Sequence, residues 1–403
     1  MARNPTNKLA DYFSSSREKG HEGLPLMSVT LNDGLILRES LDRKTDTNLD
    51  PNEHLIVKPG YIAYNMMRVW QGALGRASAD GLVSPAYVVL KPNEEIDSLY
   101  AEYLFKTARM IYLFWAFSYG LTRDRLRLYY NDFARIPVVL PPLPEQKKIA
   151  QILSTWDKAI ATTEQLLANS QQQKKALMQQ LLTGKKRLLD ENGVRFSGEW
   201  ETKKVQDFFE VGSSKRVLQA DWQHSGVPFY RTRELVSLNN QESFRSEIFI
   251  SQQLYHELAT TYGIPKKGDF LVSGVGTLGI FYQVVDDNEL YFKDGNVIWF
   301  RKKEKVCSEY FGFLFQSGYV QNQIVAQAAI TTVATYTIKN AKVTKLFCTT
   351  SVSEQAEIVK VLKSAEAPIE AYRQKLNYLQ SEKKALMQQL LTGKRRVDLE
   401  YSE

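Results

Sequence analysis

Apolar positions recur along two stretches of this 403-residue chain at alternating steps of three and four. In the first they are Ile149, Leu153, Trp156, Ile160, Leu167, Leu177 and Leu181, with Thr163, Ser170 and Lys174 at the remaining seam positions. In the second they are Ile358, Leu362, Ala365, Ile369, Tyr372, Leu376, Leu379, Leu386 and Leu390, with Lys383 as the polar break. A seam sustained over so many turns predicts two long helices paired as a coiled coil. Pro144-Glu145 and Ser353-Glu354 supply helix starts. Thr183-Gly184 and Thr392-Gly393, each followed by basic residues, supply the ends. At 1.5 Å per residue, about 40 residues make a rod on the order of 60 Å. Pro368 falls inside the second rod and is expected to kink it.

The two rods are copies. Lys-Lys-Ala-Leu-Met-Gln-Gln-Leu-Leu-Thr-Gly-Lys occupies residues 174–185 and returns at 383–394, an offset of 383 − 174 = 209. The same offset aligns 145–188 with 354–397, where 21 of 44 positions are identical. A period near half the chain marks a duplicated two-part unit. Equal length and a shared seam make each rod the natural partner of the other. Helix cores tolerate exchange among Leu, Ile and Met. Identity that extends to Gln179-Gln180 and Gln388-Gln389 therefore predicts a further surface that meets something twice.

Residues 1–143 and about 197–352 precede the rods. They differ in sequence, yet landmarks recur in order. Leu9-Ala-Asp-Tyr-Phe parallels Val205-Gln-Asp-Phe-Phe, and the segment at 54–60 parallels that at 262–268. Short apolar alternations at 270–272, 280–285 and 296–300, set off by glycine and Asp-Asn turns, read as strands. With a helix over 99–117 and a counterpart near 309–326, each module is α+β and strand-rich. The most apolar run, 110–121, is too short to span a bilayer and is expected to be a buried helix.

Composition narrows the chemistry. Hydrophobic and charged fractions of 43% and 24% are those of a soluble globular protein, and a net charge of +7 favours an anionic partner. Cys307 and Cys348 form no metal or redox spacing, the four histidines are scattered, and no apolar signal core opens the chain, so a cytoplasmic location is expected. Gly274-Val-Gly-Thr-Leu-Gly279 matches a dinucleotide fingerprint, but a strand pattern follows where that motif needs a helix, so a hairpin is expected. With no P-loop, no amino-methyltransferase motif and no nuclease carboxylate cluster, the chain is expected to catalyse nothing and to hold no metal or cofactor.

Nucleic-acid binding fits the polar groups. The candidates in the first module are Arg68, Trp70, Gln71, Arg76, Arg123, Arg125 and Arg127. In the second they are Lys215, Arg216, Arg231, Arg233, Ser273, Thr277, Thr331 and Thr332. Arginine and glutamine can read base edges, whereas lysine, serine and threonine mostly hold phosphates.

Two variable modules alternating with two near-identical helices resemble the specificity subunit of Type I restriction–modification enzymes. The first helix opens with Leu140-Pro-Pro-Leu-Pro-Glu-Gln146, and both close with Leu-Met-Gln-Gln-Leu-Leu-Thr-Gly-Lys-x-Arg. The second opens instead with Thr350-Ser-Val-Ser-Glu-Gln355, a departure from the proline-rich form. The resemblance implies an α+β chain with target recognition domains at 1–143 and 189–352. Spacer helices at 144–188 and 353–403 would pair antiparallel. Each recognition domain would read one half of a bipartite duplex DNA target. The helices would dock two methyltransferase subunits and a restriction subunit, in which S-adenosylmethionine, ATP and Mg2+ would act. Leu177, Met178, Gln179, Leu181 and Leu182, with Leu386, Met387, Gln388, Leu390 and Leu391, are the candidates for docking and helix pairing. The competing reading is a coiled-coil scaffold that joins two proteins without reading DNA.

Overall fold

Both seams form helices of 39 residues, Leu143–Leu181 and Val352–Leu390, in a computed structural model that describes residues 7–41, 49–122, 125–239, 248–292, 297–328 and 334–398. Pro368 lies inside the second rod, and the helix continues on both sides of it. The two ends are built alike. Gly184 and Gly393 take left-handed φ of +68° and +69°. The amide of Lys186 then reaches back to the Gln180 carbonyl and that of Arg395 to Gln389, each at 3.1 Å. This six-to-one closure satisfies carbonyls that a helix end leaves free. A side chain at either glycine is strained, but one at Gly184 would also stand 2.9 Å from the Trp200 ring, while Gly393 faces open space. Gly393→Ala is therefore expected to cost about 1 kcal/mol and Gly184→Ala about 2 or more. Urea unfolding checks the order, and a larger loss at Gly393 would contradict this packing.

The chain divides into two units, residues 1–165 with 373–403, and residues 166–372. Each unit thus holds one module, part of the first rod and part of the second. In unit 1 Ile149, Ala150 and Leu153 of the first rod share a core with Leu390 and Leu391 of the second and with Phe105, Phe114 and Phe133. In unit 2 Leu181 and Leu182 share a core with Ile358, Leu362, Phe209, Phe311 and Phe315.

Ion pairs fix the direction of each pairing. In unit 1 Lys383 pairs with Asp157, and Arg396 with Glu145 at 2.5 Å. In unit 2 Lys174 pairs with Glu366 at 2.6 Å, and Arg187 with Glu354 at 2.5 Å. Numbers rise along one rod as they fall along the other, so the rods run antiparallel. Adding the offset of 209 to Lys174 and Arg187 gives Lys383 and Arg396, and adding it to Asp157 and Glu145 gives Glu366 and Glu354. Each ion pair therefore has a counterpart made by equivalent residues with the rods exchanged.

The modules repeat one plan. Unit 1 has a four-stranded antiparallel sheet that places Phe13–Ser16 beside Tyr87–Pro92, then Ile62–Asn65, then Leu74–Arg76. Unit 2 places Phe209–Gly212, Val297–Lys302, Phe270–Ser273 and Phe281–Gln283 in the same order. Each sheet is followed by a pair of helices, Ser98–Phe105 with Ala108–Phe117 and Ser308–Gln316 with Gly318–Ala328. The single helix expected over 99–117 is therefore two. Thr107 interrupts it, its hydroxyl accepting from the amide of Met110 as an N-cap. Unit 2 also carries extra elements between Gln219 and Phe292, packed around Val227, Phe229, Ile250, Tyr255 and Tyr291. No helix among the described residues is long and apolar enough to cross a membrane.

Candidate nucleic-acid interface

In each module the hairpin from the third to the fourth strand of the sheet carries a loop, and that loop is tied to a second segment. In unit 1 the loop spans 66–73. The Met66 carbonyl accepts from the amide of Leu128 at 3.0 Å. In unit 2 the loop spans 274–280, and the Gly274 carbonyl accepts from Tyr336 at 2.8 Å. This is the hairpin expected for the glycine-rich motif, with Gly276 and Gly279 left-handed. Equivalent loops thus hold Arg68, Trp70 and Gln71 in one unit and Thr277 in the other.

The unit 1 surface is arginine-rich and aromatic. Arg68, Gln71, Arg125 and Arg127 are exposed, and Trp70 is half-buried with its indole N–H donating to the Met67 carbonyl at 2.9 Å. Tyr119 and Arg127 form a reciprocal backbone pair at 3.0 and 3.2 Å. The chain closes tightly between them. A Cβ on Gly120 would come within 2.4 Å of the Arg125 carbonyl, so only glycine fits.

The helix Ala108–Phe117 lies against the 66–73 loop, and a Cβ on Gly72 would touch Ile111. The apolar run 110–121 is not a buried helix as expected. Met110 and Phe114 point inward, but Tyr112, Trp115 and Tyr119 are 61%, 42% and 60% exposed. Tyr112 and Trp115 are one helical step apart with ring centres separated by 5.8 Å, and Tyr119 and Tyr129 pair at 5.7 Å. Next to Tyr119 and Tyr129 opens a cleft of about 710 Å³ that also includes Arg17 and Lys19. The two basic residues follow the first strand of the sheet, as Lys215 and Arg216 do in unit 2. Sequence reading missed the four aromatics and this basic pair. The spacing of Tyr112 from Trp115, opposite Met110 and Phe114, was the available signal.

Other candidates are occupied within the fold. Arg76 donates from Nε to the Ser98 hydroxyl at 2.9 Å and so ties its strand to the first helix. Ser273 is fully buried, donating to the Thr277 carbonyl at 2.5 Å and accepting from the Ile280 amide at 3.0 Å. It therefore builds the hairpin and presents nothing to a duplex. Arg231 grips the buried Glu234 through Nε and a terminal nitrogen at 3.0 and 2.6 Å, and its guanidinium lies over Trp222. Burial works to raise the Glu234 carboxyl, but the hydrogen bonds and charge of Arg231 outweigh it and hold it below the ordinary value. That contribution to stability is present above the unfolded carboxylate pKa and is lost as pH falls through the lower folded value. Lys215, Arg216, Arg233 and Thr277 are exposed. Arg123, Thr331 and Thr332 lie outside the described residues.

The repeated rod segments divide by face. Leu181, Leu182, Leu390 and Leu391 are buried, and Leu177, Met178, Leu386 and Met387 pack partly against the same cores. These apolar candidates build the cores that hold the rods to the modules. Gln179 and Gln388 are exposed, as are Lys175, Ala176 and Gln180 and their counterparts Lys384, Ala385 and Gln389. No cluster of His, Cys, Asp and Glu among the described residues could hold a metal ion.

Two copies of one module, each with a loop at the same place on its sheet but with different side chains on that loop, and with paired rods, define a class of duplicated recognition proteins. The family model of the Type I restriction modification DNA specificity domain matches residues 15–169 and 197–381. The chain belongs to that family. It is a specificity subunit with two recognition domains, and catalysis in such systems resides in other subunits. A similar relative is the Type I restriction enzyme MjaVIII specificity subunit of Methanocaldococcus jannaschii, 26% identical over 373 residues that cover 86% of this chain and 81% of the relative. Putative subunit S.HindORF215P of Haemophilus influenzae is 28% identical over 197 residues, 45% of this chain and 44% of its own. In fold, the chain is similar to the crystal structure of the S subunit of a Type-I restriction-modification system from M. genitalium. That similarity has a TM-score of 0.57 and 14% identity, covering 99% and 98% of the two chains. A chain from a structure on complex assembly and conformational transition of the type I R-M system matches with a TM-score of 0.54, 14% identity and coverage of 97% and 99%.

Proposed function

We propose that the two modules read the two halves of a bipartite duplex DNA target in the cytoplasm. The exposed repeated face of the rods, Lys175, Ala176, Gln179 and Gln180 with their counterparts, docks two copies of a methyltransferase subunit, and a restriction subunit joins them. S-adenosylmethionine, ATP and Mg2+ act in those partners. One observation carries the reading. Equivalent loops on equivalent sheets hold different side chains, whereas the exposed rod positions Lys175, Ala176, Gln179 and Gln180 are identical in the second copy. Readers of two DNA words must differ, and two docking sites for one protein must agree. Arg68, Gln71, Arg125 and Arg127 supply donors for base edges, and Arg17, Lys19, Lys215 and Arg216 supply charge for phosphates. A scaffold without DNA reading accounts for the rods and leaves the loops without a role.

The test is a module exchange in the assembled complex. Replacing residues 1–143 with the first module of another such subunit is expected to change one half of the methylated sequence and preserve the other. Affinity for duplex should also fall steeply as salt rises. A change in both halves, or affinity indifferent to salt, would sink the reading.

A further inference from the structure

Resting on the reading that the loops meet DNA, we infer that Gln321 is the positioning residue of the unit 2 loop and so sets base preference in one half of the target. Gln321 is the fourth residue of helix Gly318–Ala328 and lies outside the loop itself. Its side-chain amide nitrogen donates to the Gly279 carbonyl at 3.0 Å and to the Phe315 carbonyl at 2.8 Å. That nitrogen carries two hydrogens, so both carbonyls are served at once. Phe315, near the end of helix Ser308–Gln316, is fully buried in the unit 2 core, whereas Gly279 closes the 274–280 loop. One side chain thus staples the loop to a fixed part of the core.

The two modules hold their loops by different means. In unit 1 the loop brings its own anchor: Val69 is fully buried in the core, and Trp70 packs against that core. Ile111, the fourth residue of helix Ala108–Phe117, faces the loop with an apolar side chain, its terminal carbon 3.7 Å from where a Cβ on Gly72 would stand. In unit 2 the loop brings less. Val275, Leu278 and Ile280 are half-buried, and Gly276 and Thr277 are exposed. Hydrogen bonds take the place of the buried anchor. Ser273 closes the hairpin from within, Tyr336 ties its start and Gln321 ties its end. Gly279 is left-handed, and a Cβ there would stand 2.6 Å from the Gln321 side-chain oxygen. Glycine at this place is what lets the helix approach closely enough for the bond.

A group that reads a base edge discriminates only if it is held in place to about 0.5 Å. Gly276 and Thr277 form the exposed tip, within three residues of the carbonyl that Gln321 grips. The strands behind the tip, Phe270–Ser273 and Phe281–Gln283, keep their own pairing without Gln321. Freeing the Gly279 carbonyl therefore loosens the tip and leaves the sheet in register. Phosphate contacts tolerate such movement, and the choice between bases does not.

Gln321→Met keeps the length of the side chain and removes both donors. The full-length variant would be followed by hydrogen exchange without DNA, and in the assembled complex by methylation of duplexes randomised in each half. The module exchange described above identifies which half unit 1 reads. We expect exchange across 274–280 to quicken by about tenfold, the scale of two lost hydrogen bonds, with exchange at Val297–Lys302 unchanged as a sign that the sheet is intact. Preference in the half read by unit 2 should fall by about tenfold, with the other half unchanged. Gln321→Lys, which keeps a nitrogen with more than one hydrogen, should hold both measures near those of the parent chain. Unchanged exchange, or preference lost equally in both halves, would overturn this inference and leave the proposed function standing. A new base choice in Gln321→Lys would make Gln321 itself a reader and overturn its positioning role. Quickened exchange with preference intact in both halves would mean that the loop does not read DNA, and would overturn the inference together with the reading beneath it.

Discussion

Arg187→Ala is expected to destabilise the chain by about 3 kcal/mol, and the equivalent Arg396→Ala by about 1. Both arginines meet buried glutamates, Glu354 and Glu145, whose side chains are 1% and 5% exposed. The arginines differ. Arg187 is 20% exposed, holds Glu354 through two nitrogens at 2.5 and 2.9 Å, and also donates to the Gly198 carbonyl. Arg396 is 68% exposed and holds Glu145 through one nitrogen. Removing Arg187 strands a carboxylate that water reaches poorly, whereas the Arg396 contact is already half dissolved in solvent. Urea unfolding of the two variants checks the ranking. Equal losses would mean that the buried glutamates, not the arginines' exposure, set the cost.

The second large effect concerns recognition. Arg127→Ala in the assembled complex should lower specific duplex binding by about 10- to 100-fold, the scale of one lost base-edge contact. The double variant Tyr112→Ala/Trp115→Ala should lower it at least as far. Arg127 is an exposed side chain, so its loss should change stability by less than about 0.5 kcal/mol, whereas the double variant also loses a ring contact and should cost about 1 kcal/mol or more. Binding should also become indifferent to base changes in one half of the target while staying sensitive to the other. Lys19→Ala, at the cleft rim, should instead reduce the salt slope by about one while leaving sequence preference intact. Sensitivity lost in both halves would mean that unit 1 does not read a half-site by itself.

The rods were legible because a seam needs only the steps between apolar residues, and a twelve-letter repeat leaves its register in no doubt. The family resemblance rested on those same letters. Other features were hidden for physical reasons. Hydropathy summed along 110–121 cannot say which side of a helix faces water, so Tyr112 and Trp115 read as core. The break at Thr107 is a capping event made by one hydroxyl, and the polar stretch Lys106-Thr107-Ala108-Arg109 that marks it is short enough to pass for the solvent side of one helix. Arg76 and Ser273 were chosen by residue type, but their partners are set by strand pairing that brings Ser98 beside one and closes a hairpin over the other. Arg231 was readable. Glu234 lies three residues on, at a helix start, where its carboxylate takes the Arg231 amide as well as the guanidinium.

The interleaving of the rods imposes an order in time. Unit 2 is one continuous stretch, 166–372, and every residue it needs has been synthesised when the chain reaches Tyr372. Unit 1 must wait. Its core lacks Leu390 and Leu391 until the second rod has been made, so Ile149 and Leu153 miss that part of their cover while residues 166–389 are synthesised. The first module to be translated is thus the last to close. Until then its apolar groove along the first rod has the sticky character of a folding intermediate. The repeated Leu-Leu pair near the end of the second rod is the latch that ends this vulnerable interval.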